Sequence, residues 1–178
     1  MIALGISAFY HDSAVCLFKD GKVLAAIEEE KLTNIKHDNS FPINAINWAL
    51  GYCKIDISEV DVVCWYEEPD LKYDRVKKTI GKWNGFKYPK IWNSFKKRWA
   101  KTEGNIKGLL KSIGYTGNIT YTKHHLSHIA YAYYTSPFDD AVAISIDGVG
   151  EWDTVYAVNC KDNEFRFIKS AKIGRAHV

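Results

Sequence analysis

Apolar residues in the first third of the chain fall in short runs separated by polar turns. Ile2 to Ser7 reads as a strand, Ala14 to Phe18 as a second and Val23 to Ile27 as a third. Between the last two, Lys19-Asp20-Gly21-Lys22 carries the Asp-Gly pair that suits a tight hairpin turn. The period then changes. From a start at Ser40, the residues Ile43, Ile46, Trp48, Ala49, Leu50 and Cys53 supply the apolar face of a helix. Val60 to Trp65 is almost continuously apolar, as in a parallel strand covered on both faces. Beyond a long polar stretch, Ile119 to Tyr121 reads as a strand and Ser127 to Tyr134 as a helix. Ala141 to Asp147, Val155 to Asn159 and Phe165 to Ile168 complete the predicted strands.

Two parts of this pattern resemble each other. Leu4-Gly5-Ile6-Ser7, a loop, and Ala14 through Lys19-Asp20-Gly21-Lys22-Val23 form one copy. Ile144-Ser145-Ile146-Asp147, a loop, and Thr154 through Lys161-Asp162-Asn163-Glu164-Phe165 form the other. Each runs strand, polar loop, strand, Lys-Asp turn, strand. Duplication of this kind is the plan of the α/β actin-like ATPase (ribonuclease H-like) fold, whose two lobes clasp a nucleotide through their first hairpins. The expected organisation is a first lobe over residues 1–138, interrupted by an insert at about 71–111, and the opening of a second lobe over 139–172.

Charge singles out the insert. Between Leu71 and Lys111, thirteen basic residues against Asp74 and Glu103 give +11, so a chain with a net charge of +3 has −8 elsewhere. The insert also carries Tyr73, Trp83, Phe86, Tyr88, Trp92, Phe95 and Trp99. Lysines and aromatic rings together can hold phosphates and stack on bases. An amphipathic helical insertion with solvated lysines explains them more simply. The chain's 178 residues are 47% hydrophobic, enough to build a core, and no apolar run approaches the ~20 residues of a membrane span. The N-terminus lacks the features of a signal peptide. Cys16, Cys53, Cys64 and Cys160 form no CxxC pair and are expected to be reduced thiols in a cytoplasmic protein. The final Ile173-Gly174-Arg175-Ala176-His177-Val178 matches the translation of a common sequencing adapter, and is expected to be an artefact on a truncated fragment.

Candidate chemistry concentrates in three places. His124 and His128, in the run His124-His125-Leu126-Ser127-His128, are four apart and share one face of a helix. Imidazoles so spaced can share a metal ion, though the Glu of an HExxH motif is replaced by His125. Asp147, at a strand end before Gly148-Val149-Gly150, could add an oxygen ligand. Two nitrogens and a carboxylate suit iron(II), zinc or manganese. A histidine pair on a solvated helix face is the plainer alternative. In the loop Phe9-Tyr10-His11-Asp12-Ser13-Ala14, His11 could serve as a general base, or could simply be capped by Asp12. Ser7 stands where actin-like kinases carry an acidic residue for magnesium, which argues against ordinary phosphoryl transfer. The run Glu28 to Asp38 reads as a solvated turn, within which Lys36 and His37 could bind phosphate.

Gly5-Ile6-Ser7 through His11-Asp12-Ser13-Ala14, then Glu28-Glu29-Glu30-Lys31-Leu32-Thr33 with Lys36-His37-Asp38 and Phe41-Pro42, then His124 to His128 with Asp147-Gly148-Val149-Gly150-Glu151, together resemble the NodU/CmcH-type carbamoyltransferases from the start of the chain to about Lys172. The resemblance implies an O-carbamoyltransferase. From ATP and carbamoyl phosphate such enzymes make a carbamoyl-adenylate, then pass the carbamoyl group to a hydroxyl of a sugar, antibiotic or nodulation-factor-like acceptor. It implies His124, His128 and Asp147 as metal ligands and His11 as the base at the acceptor. Ser7, Asp12, Ser13, Lys36, His37, Gly148 and Gly150 would contact nucleotide or substrate. A further acidic ligand and a YrdC-like domain, which forms the adenylate, are expected beyond Lys172, so the fragment alone is expected to be inactive. The expected partners are the small-molecule acceptor and that domain in cis, with a homodimer left open; neither nucleic acid nor a membrane is expected.

Two rivals stand beside this expectation. A tRNA threonylcarbamoyladenosine-type transferase shares the paired histidines and would use the basic insert. A non-enzymatic actin-like nucleotide-binding module would not need His11, His124, His128 and Asp147.

Overall fold

The computed structural model describes residues 1–84 and 89–172. Phe86, Lys87 and Tyr88 of the insert, and the Ile173–Val178 tail, lie outside these residues. The chain forms two compact units. One comprises Met1–Tyr66 with the described part of Phe86–Tyr121, the other Glu67–Gly85 and Thr122–Val178 as far as described.

The first unit begins with β1 (Ile2–Ser7), β2 (Ala14–Lys19) and β3 (Lys22–Glu28). Asp20 and Gly21 join β2 to β3 with φ of 49° and 83°. Positive φ at both central residues is the hairpin turn whose twist matches the strands, as the Asp-Gly pair predicts. A short helix α1 (Glu30–Thr33) and then α2 (Ile43–Cys53) follow, and β4 (Val62–Trp65) adds parallel to β1. Helix α3 (Pro69–Asn84) belongs to the other unit; α4 (Pro89–Trp99), α5 (Ile106–Ser112) and β5 (Asn118–Tyr121) return to this one. The sheet order is β3-β2-β1-β4-β5, with β1, β4 and β5 parallel. Leu4, Leu17, Val63 and Trp65 from the sheet meet Ala45, Ile46 and Ala49 of α2 and Leu110 of α5 in the core, all fully buried.

Helix α2 starts later than Ser40 suggests, because Asp38 turns back on Ser40: its Oδ1 accepts the Ser40 N–H at 2.9 Å. The cap of α2 comes from a distant residue. Glu29, 1% exposed, accepts from the N–H groups of Asn44 (3.2 Å) and Ala45 (2.7 Å) and from the Asn44 amide (2.6 Å). The solvated turn expected over Glu28–Asp38 is thus corrected at this position. A helix start leaves N–H donors without helical partners, and one buried carboxylate satisfies two of them.

The second unit holds α3, α6 (His124–Tyr134), β6 (Asp140–Ile146), β7 (Asp153–Lys161) and β8 (Glu164–Lys172). Its sheet is antiparallel in the order β6-β7-β8, and Ile129 and Tyr133 of α6 pack against Tyr156, Val158 and Cys160 of β7. Along β6 the small residues Ala141, Ala143 and Ser145 alternate with Val142, Ile144 and Ile146, which are 61%, 61% and 78% exposed.

The duplication is visible in the backbone. Both β1–β2 and β6–β7 are antiparallel pairs joined by a loop, 8–13 and 147–152. The second copy then turns through Asp162 and Asn163 at φ 50° and 62°, as the first turns through Asp20 and Gly21. In the insert, the rings of Trp92, Phe95 and Trp99 follow one another along α4 at 5.5 Å spacings, while Lys90, Lys96, Lys97 and Arg98 are exposed. Among the described residues all four cysteines are free thiols, and no helix is long and apolar enough to cross a membrane.

Candidate functional site

Each unit carries a polar cluster on its β-hairpin loop. In the second unit α6 begins at His124, three residues before the start the sequence suggests, so His124 and His128 lie one turn apart on its first two turns. Asp147 follows β6 directly. Its Oδ2 lies 2.8 Å from His124 Nε2 and 3.6 Å from His128 Nε2, and the two Nε2 atoms are 3.1 Å apart. One ligand atom from each residue falls within 4.8 Å of the others. Transition ions hold such ligands at about 2.0–2.2 Å, which sets neighbouring donors roughly 2.8–3.6 Å apart in octahedral or tetrahedral coordination. The three donors match in type and spacing. His128 and Asp147, with side chains 54% and 41% exposed, leave further positions open to solvent. Both also line a groove of about 530 Å³ between α6 and β6, over Ile129, Tyr133 and Ala143.

The local electrostatics suit ligation. Burial and the neighbouring His124 push the His128 pKa down, favouring the neutral ring, although Asp147 opposes this. Burial raises the pKa of Asp147, but the hydrogen bond from His124 and the Gly148 N–H at 2.6 Å outweigh it and hold the carboxylate below its ordinary range. His125 faces the interior instead. It is 2% exposed, with Nδ1 at 2.7 Å from Ser145 Oγ and Nε2 at 2.7 Å from the Asp153 carbonyl.

Two acidic residues complete the surroundings of His124. Glu67, 3% exposed, has Oε2 4.0 Å from His124 Nδ1, and its Oε1 accepts from Lys72 Nζ at 2.7 Å. Glu151, 5% exposed, accepts from the backbone N–H of His124 at 2.8 Å and of Glu68 at 2.9 Å. In the sequence Glu151 stands out only as the end of the family motif, and Glu67 not at all. Their signals were the Glu67-Glu68 pair just past a strand's carboxyl end and the acid that closes Asp147-Gly148-Val149-Gly150-Glu151.

In the first unit, Asp12 joins two histidines. Its Oδ2 meets His11 Nδ1 at 2.8 Å and its Oδ1 meets His37 Nδ1 at 2.7 Å. These bonds, that with His37 foremost, lower the Asp12 pKa, and Asp12 in turn raises that of His37. An ionised carboxylate only accepts, so both Nδ1 atoms carry the protons and each Nε2 points away. Glu30 Oε2 accepts the His37 N–H at 2.9 Å and Oε1 takes Lys31 Nζ at 2.7 Å. Asp12, Glu30 and His37 also have ligand atoms within 4.8 Å of one another. The Lys31 ammonium already occupies the place of a cation against Glu30, and among the described residues none stands against Asp147, so the Asp12–Glu30–His37 group reads as a hydrogen-bonded cluster and not as a metal site.

The remaining sequence candidates separate by exposure. Lys36 is exposed beside His37, and Gly148 is exposed beside Asp147. Ser7 ends β1 half-buried. Ser13 is fully buried, its N–H donating to the Asp38 carbonyl and its carbonyl accepting from Glu29, so its side chain offers nothing to a ligand in solvent. Gly150 is buried against His124 and His125.

A duplicated hairpin-led α/β fold defines the actin-like, ribonuclease H-like class. The solved structure of YeaZ from Pseudomonas aeruginosa is similar at a TM-score of 0.54 and 14% identity, over 100% of this chain and 71% of that one. The chain belongs to the family described as carbamoyltransferase N-terminus, which matches residues 2–177. It is 40% identical over 163 residues to an uncharacterized protein, sll1178, of Synechocystis, covering 85% of this chain and 26% of that protein. It is 29% identical over 150 residues to the nodulation protein NolNO of Sinorhizobium fredii, covering 82% and 21%. The chain thus spans about a quarter of the length of these curated relatives.

Proposed function

We propose that this chain is the metal-holding, group-transferring part of an O-carbamoyltransferase. His124, His128 and Asp147 hold a divalent ion, iron(II) in first place and zinc or manganese otherwise. The observation that carries the reading is the convergence of these three ligand atoms within 4.8 Å, in a chain of the carbamoyltransferase N-terminus family. The ion would supply Lewis-acid polarisation of a phosphate or carbamoyl oxygen. The donor substrate is a carbamoyl-adenylate made from carbamoyl phosphate and ATP by a YrdC-like domain in cis, and the reaction takes place in the cytoplasm.

The chain's own residues divide the work. Helix α6 presents two imidazoles from one face, and Asp147 neutralises part of the ion's charge. His11, held through Nδ1 by Asp12, offers Nε2 as a base for an acceptor hydroxyl. The hydroxyl proton passes to Nε2 as its oxygen bonds to the carbamoyl carbon. The carbon–oxygen bond to the phosphate breaks, and AMP leaves with the electron pair. His37 keeps its proton to higher pH than a free histidine and, with Lys36, provides positive charge for the departing phosphate.

The test supplies the complete polypeptide with ATP, labelled carbamoyl phosphate and a panel of sugar and aminoglycoside acceptors. The expected result is label in an acceptor as a carbamate ester, lost in His124→Ala and His11→Ala. Label transfer that survives both substitutions would overturn the proposal.

A further inference from the structure

We infer that Gly150 and Glu151 are positioning residues for His124, so that one hairpin loop supplies a ligand and also sets the place of its partner. This rests on the metal reading above and extends it to two residues with no donor atom in the cluster.

The loop between β6 and β7 is closed on itself. The Asp147 N–H donates to the Thr154 carbonyl at 3.0 Å, the Gly150 N–H to the Asp153 carbonyl at 2.9 Å, and the Gly148 N–H to Asp147 Oδ1. Asp147 is therefore fixed relative to Gly150 and Glu151. Gly150 lies flat against the histidines. A Cβ there would come within 3.0 Å of His125 Cδ2, 3.2 Å of His124 Cβ and 3.3 Å of His124 Cδ2. Its φ lies outside the left-handed region, so the backbone itself tolerates alanine. What a side chain would disturb is the His124 ring. That ring is boxed in: its own side chain is only 12% exposed and His125 is locked by two hydrogen bonds.

Glu151 fixes the other end of the same residue. One buried oxygen takes the N–H of His124, the first residue of α6, and the N–H of Glu68. The Lys123 N-cap gives α6 no side-chain hydrogen bond of its own. Glu151 therefore caps α6 in its place. Through Glu68 it also ties down the segment bearing Glu67, whose carboxylate faces His124 Nδ1. A carboxylate behind a ligating histidine orients the ring and raises its basicity. Gly150 sets how close the loop approaches the ring, and Glu151 sets where the ring's backbone begins.

The experiment is a titration of the complete, metal-stripped polypeptide with Co²⁺, followed by visible absorption, alongside thermal melting of the metal-free protein. For Gly150→Ala, Co²⁺ affinity should fall about ten-fold or more, the effect of losing a ligand's supporting partner, and the ligand-field spectrum should shift, with the melting temperature nearly unchanged. Glu151→Ala should weaken Co²⁺ binding similarly. Glu151→Gln, which keeps an acceptor oxygen, should restore most of it. If both alanine variants bind Co²⁺ with wild-type affinity and spectrum, the inference is overturned and the metal reading stands. If wild type binds no better than His124→Ala, the metal reading fails and this inference with it. Should Gly150→Ala not fold, the contrast between Glu151→Ala and Glu151→Gln decides alone: equal Co²⁺ affinity in those two would overturn the inference.

Discussion

Glu29→Ala removes the buried acceptor at the start of α2. The carboxylate is 1% exposed and accepts three hydrogen bonds, two from backbone N–H groups at the start of α2. Alanine leaves those two donors without their acceptor, and that of Ala45 is buried. Loss of a helix cap costs about 0.5–2 kcal/mol, and each buried donor left unmet about 1–3 kcal/mol. These overlap, so a loss of about 2–4 kcal/mol is expected, a large share of an ordinary domain's ~5–15 kcal/mol. Glu29→Gln keeps an acceptor oxygen but turns an amide N–H₂ toward the same donors, so it should fall about midway. Equilibrium urea unfolding followed by far-ultraviolet circular dichroism reads the difference. A loss below about 1 kcal/mol for the alanine variant, with unchanged slope, would refute the capping role.

Three further outcomes are expected. His37 should titrate above its ordinary 6.5 in an NMR pH series and move back toward it in Asp12→Asn, because the Asp12 carboxylate is the main cause of the upward shift. The pair's stabilising effect is present from above the ordinary 3.8 of Asp12 to below 6.5; it is lost as pH falls through the lowered Asp12 value or rises through the raised His37 value, so a denaturation series against pH should show a decline on both sides. Gly21→Ala should cost about 1–2 kcal/mol in thermal unfolding, since φ of 83° places a Cβ in the disfavoured left-handed region, whereas Gly51→Ala, inside α2 with open space around it, should be neutral or stabilising.

Much of the fold was legible because its signals are local. The Asp20-Gly21 turn, the apolar face of α2 and the parallel strand β4 each follow from spacing within a few residues, and the repeated strand–loop–strand–turn pattern revealed the duplication. The His124 and His128 pairing is equally local, a consequence of helical period. What could not be read is set by tertiary structure. Ser40 looks like a helix start until Asp38 is seen to hold it, and the cap of α2 comes instead from Glu29, in a run whose charge suggested solvent. Ser13 sits in a loop of site candidates, yet its side chain is fully buried. Glu67 and Glu151 are far apart in sequence, and only folding brings both to His124.

In the proposed reading His124, His128 and Asp147, and not the Asp12–Glu30–His37 cluster, hold the ion. The most direct measurement is metal stoichiometry by elemental analysis after anaerobic loading of the complete polypeptide with Fe²⁺ and desalting. Close to one equivalent is expected in wild type and in His37→Ala, and a small fraction of that in His124→Ala, His128→Ala and Asp147→Ala. Retention of the ion in those three variants, or its loss in His37→Ala, would contradict the proposed reading.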